Sequence, residues 1–289
     1  MIMRFTVALA AFALAATAGV GQAMAMTGEK DVAKVTSIGG SCSRCDLSGK
    51  KLTGARFIGA NFGSSIMVGS DLRGASFMGS NFGNADLTRA DLRGAEMMGA
   101  NFGGAIFIKA QLDGIEASGA NFSNADLSNA QLTGAELSGA NMVGAVLSHV
   151  DFSGAELNAA NLAKVEGAYA NFHDAELSAA NLSYGNFNRA SFRGAELNAA
   201  SLARSDFSGA DFRGASLSKT QLAGADLQSA RGLTQDQLDE ACGDPNTLLP
   251  KGLSVRHCRG VSVRVVSPRP LKPPKAPRPP VAPRWVQAD

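Results

Sequence analysis

From Cys45 to Gln228 the chain is one unbroken run of five-residue units, and no other feature of the sequence restricts the fold so strongly. Stepping by five from Leu47 to Leu227 visits 37 central positions, of which 19 are Leu, 13 Phe and 3 Met; only Ala117 and Gly167 depart. Two residues before each centre the residue is Ala in 26 of the 37 units, and most exceptions are also small, among them Ser65, Ser70, Ser80, Gly185 and Ser205. A period of five turns about 72° per residue, against about 100° for a helix and 180° for a strand, so neither standard element keeps the centres on one face.

A second period lies inside the first. Glu96, Glu116, Glu136, Glu156, Glu176 and Glu196 recur 20 residues apart, and so do Asn61, Asn81, Asn101, Asn121, Asn141, Asn161 and Asn181. The centres follow suit, with Phe62, Phe82, Phe102 and Phe122 in one column and Phe152, Phe172, Phe192 and Phe212 in another. Recurrence every four units requires a coil that closes after four units and stacks on the next. The repeated Ala-Asp-Leu-Ser-Asn and Ala-Glu-Leu-Ser-Gly units around residues 125–139 resemble those of the pentapeptide-repeat family, whose motif is Ala-(Asp/Asn)-Leu-x-x. The resemblance implies an all-β fold, a right-handed quadrilateral parallel β-helix over 42–230. Thirty-seven units make about nine coils, a rod about 40–45 Å long at the strand spacing of roughly 4.8 Å. Small Ala and large Leu or Phe then fill the interior in layers, leaving no pore and no ligand cavity. Gly at the fifth position suits a tight corner. Proline is absent before Pro245, as expected where backbone N–H groups feed a ladder.

The flanking segments have separate characters. Residues 1–25 combine Arg4, an apolar run from Phe5 to Val20 and Ala23-Met24-Ala25, the pattern of a cleavable secretory signal. An uncleaved anchor is the rival reading, although the run is short for a membrane span. Cleavage predicts a periplasmic or secreted protein with no transmembrane segment in the mature chain. Residues 26–41 form a polar lead-in. Cys42 and Cys45 then run into the first unit, where Cys45 takes the inward small-residue position; a structural thiol or local disulfide is preferred over a redox or zinc site, because no βαβ context and no second ligand pair is visible. After Leu227 the rhythm stops. Residues 231–258 are expected to cap the solenoid, with a capping box at Thr234–Gln237 opening a short helix to about Ala241. This segment is similar to those closing many exported pentapeptide-repeat proteins, and in an oxidising compartment Cys242 and Cys258 would pair. Four cysteines still allow three connectivities. Residues 259–289 hold eight of the ten prolines and seven cations, Arg259, Arg264, Arg269, Lys272, Lys275, Arg278 and Arg284, against one acid. The expectation is an extended, disordered tail, serving either as a solvated spacer or as a tether to anionic envelope material.

Chemistry is harder to find. His149, His173 and His257 have no evident partner arrangement, and there is no glycine-rich phosphate loop, H-E-x-x-H or G-x-S-x-G, so no catalytic, cofactor-binding or dedicated metal residue is assigned. Glu116, Glu136, Glu156 and Glu176 form an acidic stripe that either binds cations or a basic partner, or is simply solvated. Arg93 and Arg193, three residues before Glu96 and Glu196, are expected to relieve the stripe's ends by ion pairing. Family members that are DNA-shaped dimers bind DNA gyrase and protect it from quinolones. Here the repeats from Asp46 to Ala230 carry 18 acids and 13 bases, a weak imitation of a duplex with one charge per roughly 1.7 Å. The favoured expectation is a non-enzymatic, exported binding or structural rod, possible as a homodimer, whose partner is a protein or anionic envelope material and not nucleic acid; gyrase mimicry and an envelope enzyme are the alternatives.

Overall fold

The computed structural model describes residues 40–258, so the expected signal peptide, nearly all of the lead-in and the Pro-rich tail lie outside the described residues. Within them, every backbone N–H of a typical unit has a defined destination, and this accounting explains the motif. In the unit around Phe122, the N–H of Asn121 donates to Ala100 O of the preceding coil (2.9 Å), and those of Phe122 and Asn124 donate to Asn141 O (2.6 Å) and Val143 O (2.9 Å) of the following one. Ala125 N–H closes the corner onto Phe122 O at 3.0 Å. That leaves Ser123 N–H, which is taken by the side-chain Oδ1 of Asn121 at 3.1 Å. A short side chain with an acceptor oxygen before the centre is therefore a cap for the one N–H that the ladder misses.

Each corner as far as Gly224, the last at Ser229 excepted, is a tight turn whose third residue has positive φ, as in Gly134 (+62°) and Gly139 (+67°). This is the type II pattern, which glycine enters without steric cost. The coils join by parallel bridges between residues 20 apart, from Ser41 with Asn61 through Asp211 with Arg231. The result is a four-sided parallel β-helix. In chain order its sides are a mixed face (Asp46, Ile66, Asp86, Ile106), an Arg face (Arg73, Arg93), a Glu face and an Asn face.

The interior is continuous and filled. The Phe62, Phe82, Phe102 and Phe122 rings stack at 4.9–5.2 Å, and the Phe152, Phe172, Phe192 and Phe212 rings at 4.9–5.1 Å. Both irregular centres are volume exchanges. Ala117 is accompanied by Ile115, and Gly167 by Val165, where Ala is usual; all three of Ile115, Ala117 and Val165 are fully buried. Space at Gly167 is also taken by Phe187, whose ring would lie 2.9 Å from a Cβ there.

Beyond Ala230 the ladder is completed by different means. Helix α1 (Gln235–Asp239) begins with a reciprocal capping box between Thr234 and Gln237 and buries Leu238. It stops short of Ala241 because the next residues join the solenoid: Cys242 N–H donates to Thr220 O (2.9 Å) and Cys242 O accepts from Leu222 (2.7 Å). Two short parallel strands, β1 (Cys242–Gly243) and β2 (Arg256–His257), follow. Disulfides join Cys242 to Cys258 and Cys42 to Cys45.

Candidate functional site

The outward side chains of a solenoid stand in columns, so a candidate site here is a set of neighbours along a face or an edge. The Glu face is the simplest case. Glu116, Glu136, Glu156 and Glu176 are exposed and follow one another through backbone bridges. Glu is too long to cap its own corner; Ser178 N–H instead takes Asn158 Oδ1 of the previous coil at 3.1 Å, while Asn158 Nδ2 donates to Glu176 Oε2 at 2.8 Å. Among the described residues no three His, Cys, Asp or Glu side chains form a metal-ligand group.

Arg93 does not relieve this stripe. It turns back to Asp91, bridging the carboxylate through Nη2 at 2.6 Å and Nε at 2.8 Å. The reason is geometric: residues before and after one centre leave the same face, whereas Glu96 lies around a corner. Arg193, likewise, makes no ion pair with Glu196; its carbonyl oxygen instead approaches His173 Nδ1 at 3.0 Å. Arg73 and Arg213 repeat the Arg93 arrangement with Asp71 and Asp211. In each case the guanidinium hydrogen bonds hold the carboxyl below the usual carboxylate range. Asp244 is also held low: burial pushes it up, but bonds from Gly224 N–H, Thr247 and Asn246 outweigh it.

The Asn face carries a side-chain amide ladder. Asn81 Nδ2 donates to Asn61 Oδ1 at 2.9 Å, and Asn101, Asn121 and Asn141 continue it at 2.8–3.0 Å. Gly63, Gly83 and Gly103 lie beside it in a shallow trough of about 560 Å³. A Cβ at Gly63 would meet Asn61 Oδ1 at 3.2 Å, a tight contact that Ser123, Val143 and Ala163 accept farther along the same ladder.

The edges of the mixed face hold what the sequence reading missed. At its border with the Arg face, His149 and Tyr169 stack at 4.8 Å and 7°. Arg189 lies over the same tyrosine, 5.6 Å from the ring centroid, with Nη1 donating to Tyr169 Oη at 2.9 Å. At its border with the Asn face, Arg204 lies 5.5 Å over Tyr184 and donates to its Oη at 2.9 Å. Both columns end one coil later on a glycine, Gly209 and Gly224. The available signal was side chains such as Tyr169, Arg189, Tyr184 and Arg204 at the fifth position, where φ is +56° to +61° and glycine is the unstrained choice.

The four cysteines are paired within each end of the solenoid, not across it. The tail cations Arg259, Arg264, Arg269, Lys272, Lys275, Arg278 and Arg284 fall outside the described residues. No helix among the described residues is long and apolar enough to cross a membrane.

Among curated proteins, none matches the chain. Solved structures that are similar include HetL, a pentapeptide repeat protein involved in heterocyst differentiation regulation from the cyanobacterium Nostoc sp., at 27% identity over 76% of this chain and 96% of that one, with a TM-score of 0.48. QnrB1, a plasmid-mediated fluoroquinolone resistance protein, is 25% identical over 69% of this chain and 90% of its own, with a TM-score of 0.32. A pentapeptide repeat protein from the Arabidopsis thaliana thylakoid lumen is 28% identical over 44% of this chain and 74% of its own, with a TM-score of 0.27. The family assignment rests on the repeats themselves: the family model for pentapeptide repeats matches eight copies, over residues 41–77, 55–94, 95–130, 125–163, 170–209 and 196–231. With most of its length matched in this way, and with coils that close every four units, the chain belongs to the pentapeptide repeat family.

Proposed function

We propose that this chain is a non-enzymatic, exported scaffold of the bacterial envelope. The solenoid is a rod of about nine coils closed by residues 231–258, which presents flat faces to a partner, and the basic tail holds the rod on anionic material. What supports this function is the organisation of the surface. Outward side chains are arranged in straight columns around a filled interior, which suits recognition of an extended partner and leaves the described residues without an internal reaction chamber. The secretory pattern in residues 1–25 and the two disulfides fit an oxidising compartment. Seven cations in the tail can each add about 1 kcal/mol near an anionic surface at low salt.

Cell fractionation tests this reading. The full chain and a version ending after Cys258 are expressed, and the membrane and wall pellet is washed at low and high salt. The full chain should be exported, pellet at low salt and be released at high salt, whereas the shortened form should stay soluble. Retention of both forms in the cytoplasm with an uncleaved N-terminus would refute export, and equal pelleting of both would refute the tail as tether.

A further inference from the structure

The Tyr169–Arg189 and Tyr184–Arg204 columns are the same device built on two edges of one face, and they differ in how they end. Above Arg204, Gly224 N–H donates to a carboxylate of the chain itself, Asp244 Oδ1, at 2.7 Å. Above Arg189, the matching bond runs from Gly209 N–H to a neutral hydroxyl, Ser229 Oγ, at 3.0 Å. Ser229 and Asp244 stand in equivalent places, each 20 residues after its glycine. One edge therefore ends on a carboxylate, which caps Gly224 and forms no ion pair with Arg204, and the other ends on a neutral hydroxyl.

The edge without an anion also has the greater positive charge. Tyr169, Arg189, Gly209 and Arg231 line an open groove of about 440 Å³. Neither Arg189 nor Arg231 has an ion-pair partner among the described residues. The bridge partner of Arg231, Asp211, hydrogen-bonds Arg213, and Arg231 acts on that carboxylate only through charge at longer range. Arg189 is held in place by the tyrosine below it, which uses one of its five N–H donors and leaves the others outward. Ser229, whose hydroxyl accepts from Gly209, sits beside the groove and is not part of its lining. The pinned Arg189 guanidinium and the side chain of Arg231, lining one groove beside Gly209, supply the donors for a paired-oxygen anion. The groove falls in the size range of small-molecule sites, and its remaining lining is the Tyr169 ring with its hydroxyl and the Gly209 backbone, against which a sugar ring can pack. We infer that this groove binds an acidic sugar, with its carboxylate or phosphate held between Arg189 and Arg231 above Gly209. The site belongs to the solenoid surface and does not rest on export or on the tail.

The test uses the full oxidised chain and the amide chemical shifts of Gly209 and Ser229, which report on the groove itself; a version ending after Cys258 should give the same shifts. The probes are trigalacturonate, glucose 6-phosphate, inorganic phosphate and maltotriose. Shifts at both amides are expected with trigalacturonate or glucose 6-phosphate, and which of the two is tighter identifies carboxylate or phosphate as the group. Arg189→Gln and Arg231→Gln should each weaken that binding about tenfold or more, as loss of a charged hydrogen bond does. Ser229→Asp copies the Gly224–Asp244 arrangement and should abolish binding while preserving the circular dichroism spectrum; Arg204→Gln, on the other edge, should leave it unchanged. The proposal is overturned if neither acidic sugar moves the two amides, if maltotriose or inorganic phosphate binds as tightly as the acidic sugars, or if folded Ser229→Asp binds like the parent. Should an arginine variant fail to fold, Ser229→Asp carries the test.

Discussion

Gly167 is the only centre without a side chain, and Gly167→Ala tests whether the interior is packed as tightly as it looks. A Cβ at Gly167 would lie 2.9 Å from Cδ1 and 3.1 Å from Cε1 of Phe187, and a Cβ at Gly185 would lie 2.5 Å from Cε2 of the same ring. Carbon contacts are comfortable at about 3.5–4.0 Å, so the ring would have to retreat by about half an ångström or more. It has nowhere to go. Phe207 stacks on it at 5.2 Å, and Phe172 and Phe192 approach edge-on at 6.1 and 5.7 Å. Overpacking of this kind costs about 1–3 kcal/mol. Loss of glycine's freedom in the unfolded chain returns about 0.4–1 kcal/mol, for a net destabilisation of about 1–2 kcal/mol. Phe187→Leu alone should also destabilise, by leaving a void. Combined, the alanine methyl enters the room that the ring vacates, so the pair should show a favourable coupling of about 1 kcal/mol in a double-mutant cycle. Urea unfolding of the oxidised protein, followed by far-ultraviolet circular dichroism, measures each corner of the cycle. Gly154→Ala is the control. Its φ of +63° and open surroundings give it a backbone cost that Phe187→Leu should not change. Effects of Gly167→Ala and Phe187→Leu that add within about 0.3–0.5 kcal/mol would refute the packing argument.

Two further predictions concern the ends and the acidic groups. The Cys242–Cys258 disulfide spans 16 residues, for which loop-closure entropy gives about 3 kcal/mol; Cys242→Ser with Cys258→Ser should lower the unfolding midpoint accordingly, and a midpoint unaffected by reductant would contradict this. Asp71, Asp91, Asp211 and Asp244 all have carboxyls held below their unfolded values, so their contribution is complete above about pH 4 and is lost as pH falls through the folded values. Thermal melts should therefore be flat from neutral pH to about pH 5 and decline below about pH 4, and Asp71→Asn with Asp91→Asn should shallow the decline; a melt that rises on acidification would reverse the sign of the argument.

The periodicity made the architecture legible because each residue type in the motif answers one local requirement. Leu or Phe at the centre and Ala two before it fill the coil, and the 20-residue recurrence of Glu and Asn identifies the faces. What could not be read by spacing alone was the direction of each side chain. Arg93 is three residues from Glu96 and two from Asp91, and only the placement of corners decides that it bonds the nearer one. The same holds for α1: the capping box at Thr234 was visible, but its end depends on Cys242 entering the ladder opposite Gln221. The Tyr–Arg columns are hard to see in the sequence because the fifth position favours glycine, and side chains there follow no motif residue.

Those columns also differ energetically from the rest of the surface. A non-glycine residue in the left-handed region costs about 1–2 kcal/mol, and Tyr169, Arg189, Tyr184 and Arg204 all occupy it. Each Tyr–Arg pair regains about 0.5–1 kcal/mol from the cation–π contact and about 0.5–1.5 kcal/mol from its hydrogen bond. With two strained residues costing about 2–4 kcal/mol and about 1–2.5 kcal/mol regained, a pair is on balance unfavourable by about 1 kcal/mol. Gly134, Gly139 and Gly154 show that the corner can be made without the strain. The backbone ladder, the buried Leu, Phe and Ala columns and the Asn ladder hold the coils together, whereas the Tyr–Arg columns add little. Their contribution is instead to fix two guanidinium groups on opposite edges of one face. On one of those edges the chain supplies a carboxylate above the arginine, and on the other it leaves the place open; that asymmetry separates a structural stack from a receptor.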